Sequence, residues 1–176
     1  MKMNLSIQSL ATEVHELLLE KGLTLSIAES CTGGLISSIL TKLPDCSKYF
    51  KGSVVCYSRF SKENVLNIDK SIIEKYGIIS SEASFEMAKK SKDLFDSDIA
   101  LSTTGVAGPS KQESKPVGLI YISLCSEDFS KTKQLNLKGA REEIQLKATW
   151  EALNILQLYL SKLNKNIKIE ALNWKK

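Results

Sequence analysis

The stretch LTLSIAESCTGGLISSIL, residues 23–40, contains a strand pattern that is followed within a few residues by a helix pattern. Residues 23–28 alternate between apolar and polar side chains, which predicts a β-strand. Residues 32–43 have the apolar spacing of a helix, which Pro44 ends. Between the two lies AESCTGG, residues 28–34, where hydroxyl and thiol groups precede two glycines. A strand that turns directly into a helix is the unit from which α/β domains are built.

Apolar periodicity predicts further helices and strands after and before this stretch. The predicted helices cover residues 8–21, about 59–68, 81–95 and 141–163, and the predicted strands cover 52–58, 98–105, 116–124 and 131–139. This order predicts a single three-layer α/β/α domain with a mixed sheet, because the last strands are consecutive and can pair as hairpins. The domain is predicted to span residues 1–163, and residues 164–176 are predicted to be a basic C-terminal tail.

The composition is typical of a folded globular domain. The chain has 176 residues, of which 43% are hydrophobic and 25% charged, with lysines scattered along it. The net charge of +4 is therefore too diffuse to indicate a nucleic-acid partner. No apolar run approaches the roughly 18 residues of a membrane span, and the first residues lack the apolar core of a signal peptide. The sequence predicts a protein with neither a nucleic-acid partner nor a membrane.

Cysteine and histidine are few and widely spaced. Cys31, Cys46, Cys56 and Cys125 form no CxxC pair, and His15 is the only histidine. These residues predict no zinc site, and they favour reduced thiols in the cytoplasm. The single histidine also disfavours a Ser-His or Cys-His catalytic pair, so a nucleophile in this chain needs another base.

Ligands of sheets covered by helices bind beyond the carboxyl ends of the strands. Three segments are predicted to meet there, namely the ends of LSIAES and VVCYS and the segment STTGVAGP. The backbone N–H groups of Cys31 to Gly34 are predicted to be free at a helix N-terminus, where they can hold a phosphate or an oxyanion. The alternative is a capped turn that carries hydroxyl groups without further function.

Ser30 and Cys31 are the candidate nucleophiles. Ser30 has predicted oxyanion donors beside it, whereas Cys31 lacks a nearby histidine that would activate a thiolate. Lys62 is the candidate base, provided that desolvation or a neighbouring positive charge such as Arg59 lowers its pKa. Tyr57, at a predicted strand end, is a candidate proton relay. The alternatives are an exposed Lys62 and a Tyr57 that belongs to the core.

Six segments occur in an order and spacing that resemble a known family. They are AESCTGGLISSIL (28–40), GSVVCYSRFSK (52–62), YGIISSEASFEMA (76–88), TTGVAGP (103–109), KPVGLIYISL (115–124) and LKGAREEI (137–144). The chain resembles the CinA C-terminal domain family, whose active members are nicotinamide-nucleotide amidases. The resemblance covers about residues 8–160.

The resemblance implies an amidase that converts nicotinamide mononucleotide to nicotinic acid mononucleotide and ammonia, with no metal or organic cofactor. It implies that Ser30 is the nucleophile and that Lys62 takes its proton, directly or through Tyr57. Glu29 is expected either to orient Lys62 or to cap the turn. The expected partner is a pyridine nucleotide, and a homo-oligomer is expected. The candidate substrate-binding residues are Cys31, Thr32, Gly33, Gly34, Thr103, Thr104, Gly105 and Arg141.

The chain departs from the family pattern at several positions. Arg59 and Phe60 stand where Asn and Glu are usual, Ala140 replaces an Asp, and Gln145 replaces a basic residue. The loop Ser110–Ser114 replaces one that is rich in glycine. The catalytic residues are unchanged, so these departures concern the fit of the substrate. They leave two alternatives, a catalytically weakened nucleotide-binding or regulatory protein and a structural protein that assembles through its last helix.

Overall fold

The computed structural model describes residues 2–163, and the predicted tail lies outside the described residues. Within them the helices are α1 (Lys2–Lys21), α2 (Leu35–Leu40), α3 (Arg59–Asn64), α4 (Lys70–Tyr76), α5 (Ser81–Phe95) and α6 (Arg141–Leu163). The strands are β1 (Leu25–Glu29), β2 (Phe50–Val55), β3 (Ile99–Gly105), β4 (Leu119–Cys125) and β5 (Ser130–Asn136). No helix in this part of the chain is long and apolar enough to cross a membrane.

The five strands form one mixed sheet in the order β2-β1-β3-β4-β5. β2, β1 and β3 are parallel, and β3, β4 and β5 are antiparallel neighbours. Glu29, the last residue of β1, is paired with Val55 of β2 and with Thr103 of β3. The carboxyl ends of the three parallel strands therefore meet at one edge of the sheet. The prediction of a single α/β domain with a mixed sheet is confirmed.

Helices cover both faces of the sheet, which gives the three layers. On one face α1, α2 and α6 enclose a large apolar core in which Leu18, Ile27, Ile36, Leu101 and Leu156 are fully buried. This face is stabilised mainly by removal of apolar surface from water. α5 covers the other face, and α4 packs beside it.

The face beneath α5 is lined with hydroxyl groups. Ser123 Oγ donates to Ser84 Oγ at 2.8 Å, and Ser102 Oγ donates to the carbonyl oxygen of Ser84 at 2.6 Å. A second group forms where Ser91 and Ser97 both donate to Ser26. These six serines are all buried: Ser26, Ser84, Ser91, Ser97, Ser102 and Ser123. Because each hydroxyl can donate and accept, the polar groups of this interface satisfy one another.

The helix predicted over residues 32–43 is shorter in the structure. Gly33 and Gly34 have left-handed φ values of 64° and 96°, which glycine adopts without a steric penalty, so residues 31–34 form a turn. α2 therefore begins only at Leu35. It ends at Leu40, where the hydroxyl of Thr41 donates to the carbonyl oxygen of Ser37.

Other boundaries shift by a few residues, and one helix was not predicted. The strand predicted over 52–58 ends at Val55, because Ser58 accepts a hydrogen bond from the Ser61 N–H and caps α3. α4 lies between predicted elements, with Asp69 accepting from the Ser71 N–H at its start and Gly77 (φ 83°) at its end. Seven residues are too few to form a helix without such caps and tertiary contacts. The first helix also begins earlier than predicted.

Candidate active site

A small cavity of about 50 Å³ lies at the edge where the parallel strands end. Its lining includes six of the residues predicted for the site, which are Ser30, Cys31, Tyr57, Thr104, Gly105 and Arg141. They come from the segments that follow β1 and β2, from the end of β3 and from the start of α6. The predicted meeting of these segments at one edge of the sheet is therefore found in the structure.

Ser30 and Lys62 are in direct contact beside this cavity. Lys62 Nζ donates to Ser30 Oγ at 3.1 Å and to the carbonyl oxygen of Cys56 at 2.6 Å. The N–H of Ser30 donates to the carbonyl oxygen of Thr103 at 2.9 Å, which fixes the serine at the end of β1. Lys62 has 0% of its surface exposed, so the alternative of an exposed lysine is wrong.

Burial lowers the pKa of Lys62, because removal from water disfavours the charged ammonium group. Negative charge on Cys56, Cys31 or Glu113 would act in the opposite direction, but burial has the larger effect. Arg59 is not the cause, since its guanidinium group pairs with Glu63 at 2.5 Å. Desolvation and a neighbouring positive charge were the two causes of a lowered Lys62 pKa considered from the sequence. Desolvation is the cause found in the structure, and it favours a neutral amine that can accept a proton.

Cys31 is not suited to act as a nucleophile. Its side chain is buried, and burial raises the pKa of its thiol to about 12. The thiolate is the reactive form of cysteine, so a thiol with this pKa is almost entirely unreactive at neutral pH. Of the two candidate nucleophiles, the structure favours Ser30.

The Glu29 carboxylate caps α2 and, in the described part of the chain, forms no hydrogen bond or ion pair with Lys62. Glu29 Oε2 accepts from the N–H groups of Gly34 (2.9 Å) and Ile36 (3.2 Å), and Oε1 accepts from the N–H and hydroxyl of Ser37. A negative charge at a helix N-terminus is favourable because it satisfies free N–H groups and complements the helix dipole. Of the two roles expected for Glu29, capping is the one observed.

This capping changes what the turn can bind. The prediction of free N–H groups from Cys31 to Gly34 is wrong for its last two residues, because Gly33 donates to the Ser30 carbonyl and Gly34 donates to Glu29. Within residues 2–163, the N–H groups of Cys31 and Thr32 donate to no other residue. Those two groups adjoin Ser30 and remain available to stabilise an oxyanion.

The predicted substrate-binding threonines lie at different depths. Thr32 Oγ1 donates to Glu29 Oε2 and is 2.7 Å from Thr103 Oγ1, and both threonines are buried behind the turn. Neither lines the cavity. Thr104 does line it, and its hydroxyl donates to the carbonyl oxygen of Ile78 at 2.8 Å. Thr32 and Thr103 thus support the turn through Glu29.

Tyr57 and Arg141 meet at the mouth of the cavity. The guanidinium group of Arg141 donates to the hydroxyl of Tyr57 and to the carbonyl oxygen of Gly108. Tyr57 is 54% exposed, so the alternative of a core tyrosine is wrong. In the described residues its hydroxyl is bonded to Arg141 and to neither Ser30 nor Lys62.

The cavity also includes residues that were not named as site residues from the sequence. Ile78 and Ile79 line it, and so do Ser110 and Gln112 of the loop that departs from the family pattern. Gln145, noted only as a departure from the family pattern, donates to the carbonyl oxygen of Cys31 at 2.9 Å and so steadies the turn after Ser30. Across residues 2–163, no three Asp, Glu, His or Cys side chains are grouped as a metal site would require.

Comparison with known proteins identifies relatives over most of the chain. The model of the CinA C-terminal domain matches residues 7–160. The chain is 47% identical over 150 residues to a CinA-like protein of Dictyoglomus thermophilum and 43% identical over 145 residues to one of Fervidobacterium nodosum. These alignments cover 85% and 82% of this chain but 36% of each relative, so the chain spans about a third of their length.

A solved structure has the same fold. The competence damage-inducible protein A of Klebsiella pneumoniae aligns with a TM-score of 0.86 at 29% sequence identity. The alignment covers 88% of this chain and 97% of that protein chain. The similarity therefore includes the sheet, its covering helices and the edge that carries the cavity.

Proposed function

Because the chain belongs to the CinA C-terminal domain family, we propose that it is an amidohydrolase that deamidates nicotinamide mononucleotide to nicotinic acid mononucleotide and ammonia. The observation that carries the proposal is the 3.1 Å contact between Lys62 Nζ and Ser30 Oγ beside the cavity. A hydroxyl next to a desolvated amine is an arrangement that can form an acyl-enzyme without histidine. The expected partner is thus a small pyridine nucleotide.

The first half of the reaction forms the acyl-enzyme. Neutral Lys62 accepts the proton of Ser30 while Oγ attacks the carboxamide carbon, forming the C–O bond of a tetrahedral intermediate. The ammonium group of Lys62 then donates this proton to the departing nitrogen, the C–N bond breaks, and ammonia leaves. Direct transfer is favoured over a relay through Tyr57, because Lys62 contacts Ser30 and the Tyr57 hydroxyl is bonded to Arg141.

The second half releases the product acid. Water loses a proton to Lys62 as it attacks the acyl carbon, and the serine oxygen regains that proton as its ester bond breaks. In both halves the developing oxyanion is stabilised by the N–H groups of Cys31 and Thr32, which adjoin the nucleophile. No metal or organic cofactor enters these steps.

The phosphate of the nucleotide needs a separate partner. Arg141 lines the cavity mouth, and its planar guanidinium group suits a phosphate that replaces the Tyr57 hydroxyl or the Gly108 carbonyl. The α2 N-terminus is not proposed for this role, since Glu29 occupies it.

A second candidate function is a nucleotide-binding or regulatory protein of the same fold with weak turnover. One observation favours it, namely that Ser110 and Gln112 line the cavity and belong to the loop that departs from the family pattern. A changed wall can retain binding while misplacing the reacting carbon relative to Ser30, and small misplacements cost large factors in rate.

The two candidates are separated by ammonia release from nicotinamide mononucleotide. The wild type is compared with Ser30→Ala and Lys62→Met, and with the exposed-residue controls Ser38→Ala and Lys70→Met. The amidase proposal expects activity in the wild type and both controls, and loss of at least about a thousandfold in the two site variants. A silent wild type that still binds the nucleotide supports the second candidate and contradicts the first.

A further inference from the structure

A single carboxylate holds one side of the cavity together. Glu113, between β3 and β4, accepts hydrogen bonds from the backbone N–H groups of Ile78 (3.0 Å) and Ile79 (3.2 Å). Lys115 pairs with the same carboxylate at 3.2 Å and donates to the carbonyl oxygens of Tyr76 and Ile79. The loop before β4 is thereby fastened to the segment that joins α4 and α5.

The loop needs these contacts to keep its conformation. Gln112 and Lys115 form an isolated antiparallel bridge, and the two residues between them, Glu113 and Ser114, have left-handed φ values of 50° and 58°. Turns with consecutive left-handed residues favour glycine and asparagine, so a Glu-Ser pair is strained there. The hydrogen bonds of Glu113 and Lys115 offset that strain.

Gly77 provides the space for the carboxylate. A Cβ atom at this position would lie 2.5 Å from Glu113 Oε2 and 2.9 Å from Lys115 Nζ. Such distances are shorter than van der Waals contact, so a side chain here would displace the pair. The absence of a side chain at Gly77 therefore allows the Glu113 carboxylate to approach the backbone here.

The two joined segments are walls of the cavity. Ile78 and Ile79 line it from one segment, and Ser110 and Gln112 line it from the other. Glu113 is not among the described residues that line the cavity. It therefore acts on the cavity through the backbone groups that it holds in place. Lys62 lies on α3 and is not one of the residues that form these walls.

We propose that Glu113 is a positioning residue of this site, which sets the affinity for the nucleotide by holding the Gln112 wall against Ile78 and Ile79. This inference rests on the proposed function for the identity of the ligand. Its effect falls on substrate binding rather than on acyl transfer, because the nucleophile and base are positioned by other contacts.

The charge of Glu113 provides a second readout. It raises the pKa of Lys62, while burial lowers that pKa by a larger amount. Arg59, on the same helix as Lys62, is already paired with Glu63. Removal of the Glu113 charge therefore lowers the pKa of Lys62 further. This pKa effect acts through space and reports the charge of Glu113, whereas the split between KM and kcat reports the position of the wall.

The test compares Glu113→Gln with a matched control, Asp98→Asn. Asp98 also joins two segments, accepting from the N–H (2.7 Å) and hydroxyl (2.6 Å) of Thr24, but at the opposite edge of the sheet. We expect Glu113→Gln to raise KM for nicotinamide mononucleotide about tenfold, with kcat within about twofold. The acid limb of its kcat/KM profile moves to lower pH, and Asp98→Asn changes none of these quantities.

Two results would overturn the inference. One is an unchanged KM in folded Glu113→Gln, and the other is a rise in KM in Asp98→Asn that equals the rise in Glu113→Gln. If Glu113→Gln does not fold, the KM of Lys115→Met tests the inference instead. A raised KM supports the inference, and an unchanged KM opposes it.

If the wild type releases no ammonia, only the amidase proposal is contradicted. The inference about Glu113 is then tested by calorimetric titration with nicotinamide mononucleotide. Weaker binding by Glu113→Gln then supports the inference, whereas equal binding, or none by the wild type, overturns it.

Discussion

Ser30 and Lys62 are separated by 32 positions in the chain, yet Lys62 Nζ lies 3.1 Å from Ser30 Oγ. The contact depends on the parallel pairing of β1 and β2, which places the first residues after both strands at the same edge. α3 then turns Lys62 back toward that edge, and Ser58 fixes the start of this helix. The pair is therefore a product of strand pairing and helix capping together.

The pH dependence of catalysis follows from the burial of Lys62. Because burial lowers the pKa of this amine, its neutral form is populated below the ordinary value of 10.5. We expect kcat/KM for ammonia release to rise with pH through the lowered pKa and to level off before 10.5. A profile that still rises steeply at 10.5 would contradict a desolvated base.

The same pKa shift predicts a pH dependence of stability. Between the lowered folded-state pKa and 10.5, the unfolded chain binds more protons at Lys62 than the folded chain does, so stability rises with pH. We expect the difference in free energy of unfolding, wild type minus Lys62→Met, to increase as pH is raised through this window. Urea unfolding at several pH values measures it, and other titrating groups cancel in the difference. A constant difference would oppose the shift.

Glu29 is predicted to be a major contributor to stability. Glu29→Gln replaces one acceptor oxygen by a donor NH₂ group that faces the N–H groups of α2. We expect a loss of about 2–4 kcal/mol in the free energy of unfolding, because buried donors lose their partner. Glu142→Gln, in the exposed first turn of α6, is the control and is expected to cost only about 0.3–1 kcal/mol. Similar losses in both variants would argue against the capping role.

Thiol alkylation tests the assignment of the nucleophile. Three cysteines are buried and Cys46 is partly exposed. We expect iodoacetamide to modify Cys46 first in the folded protein and to leave ammonia release intact, because the Cys31 thiol stays protonated. Mass spectrometry of tryptic peptides locates the label. Early labelling of Cys31 with parallel loss of activity would favour a cysteine nucleophile instead.

Arg141 is predicted to recognise the phosphate. Arg141→Met is expected to raise KM for nicotinamide mononucleotide by about 10–100-fold, since a charge-assisted contact is lost. For nicotinamide riboside, which lacks the phosphate, the rise is expected to stay below about threefold. Arg59→Met removes the chain's other arginine, which is paired on α3, and serves as the control. Equal effects on both substrates would show that Arg141 acts only through Tyr57.

The sequence was sufficient to predict the fold class and six of the residues that line the cavity. Strand alternation, helix spacing and the hydroxyl-rich turn after β1 carry that information locally, and the family resemblance joined Ser30 to Lys62. The role of Glu29 was left open, because nothing in its position along the chain shows which way a strand-end carboxylate points. Glu113 lies in the loop Ser110–Ser114 that departs from the family pattern, but its partners were not predicted. They are the backbone N–H groups of Ile78 and Ile79, which lie 35 and 34 positions earlier.

The serine-lined interface beneath α5 has a consequence for how the domain can diverge. The apolar face under α1 and α6 accepts exchanges among aliphatic residues of similar volume, since its contacts are non-directional. Hydroxyl networks are directional, so replacing Ser84 removes one partner each from Ser102 and Ser123. Ser102 then keeps only the carbonyl oxygen of residue 84, and Ser123 keeps only the Thr132 hydroxyl. Neutral drift is therefore expected to accumulate mainly on one side of the sheet, and a deep mutational scan of this domain should give an asymmetric map of tolerance.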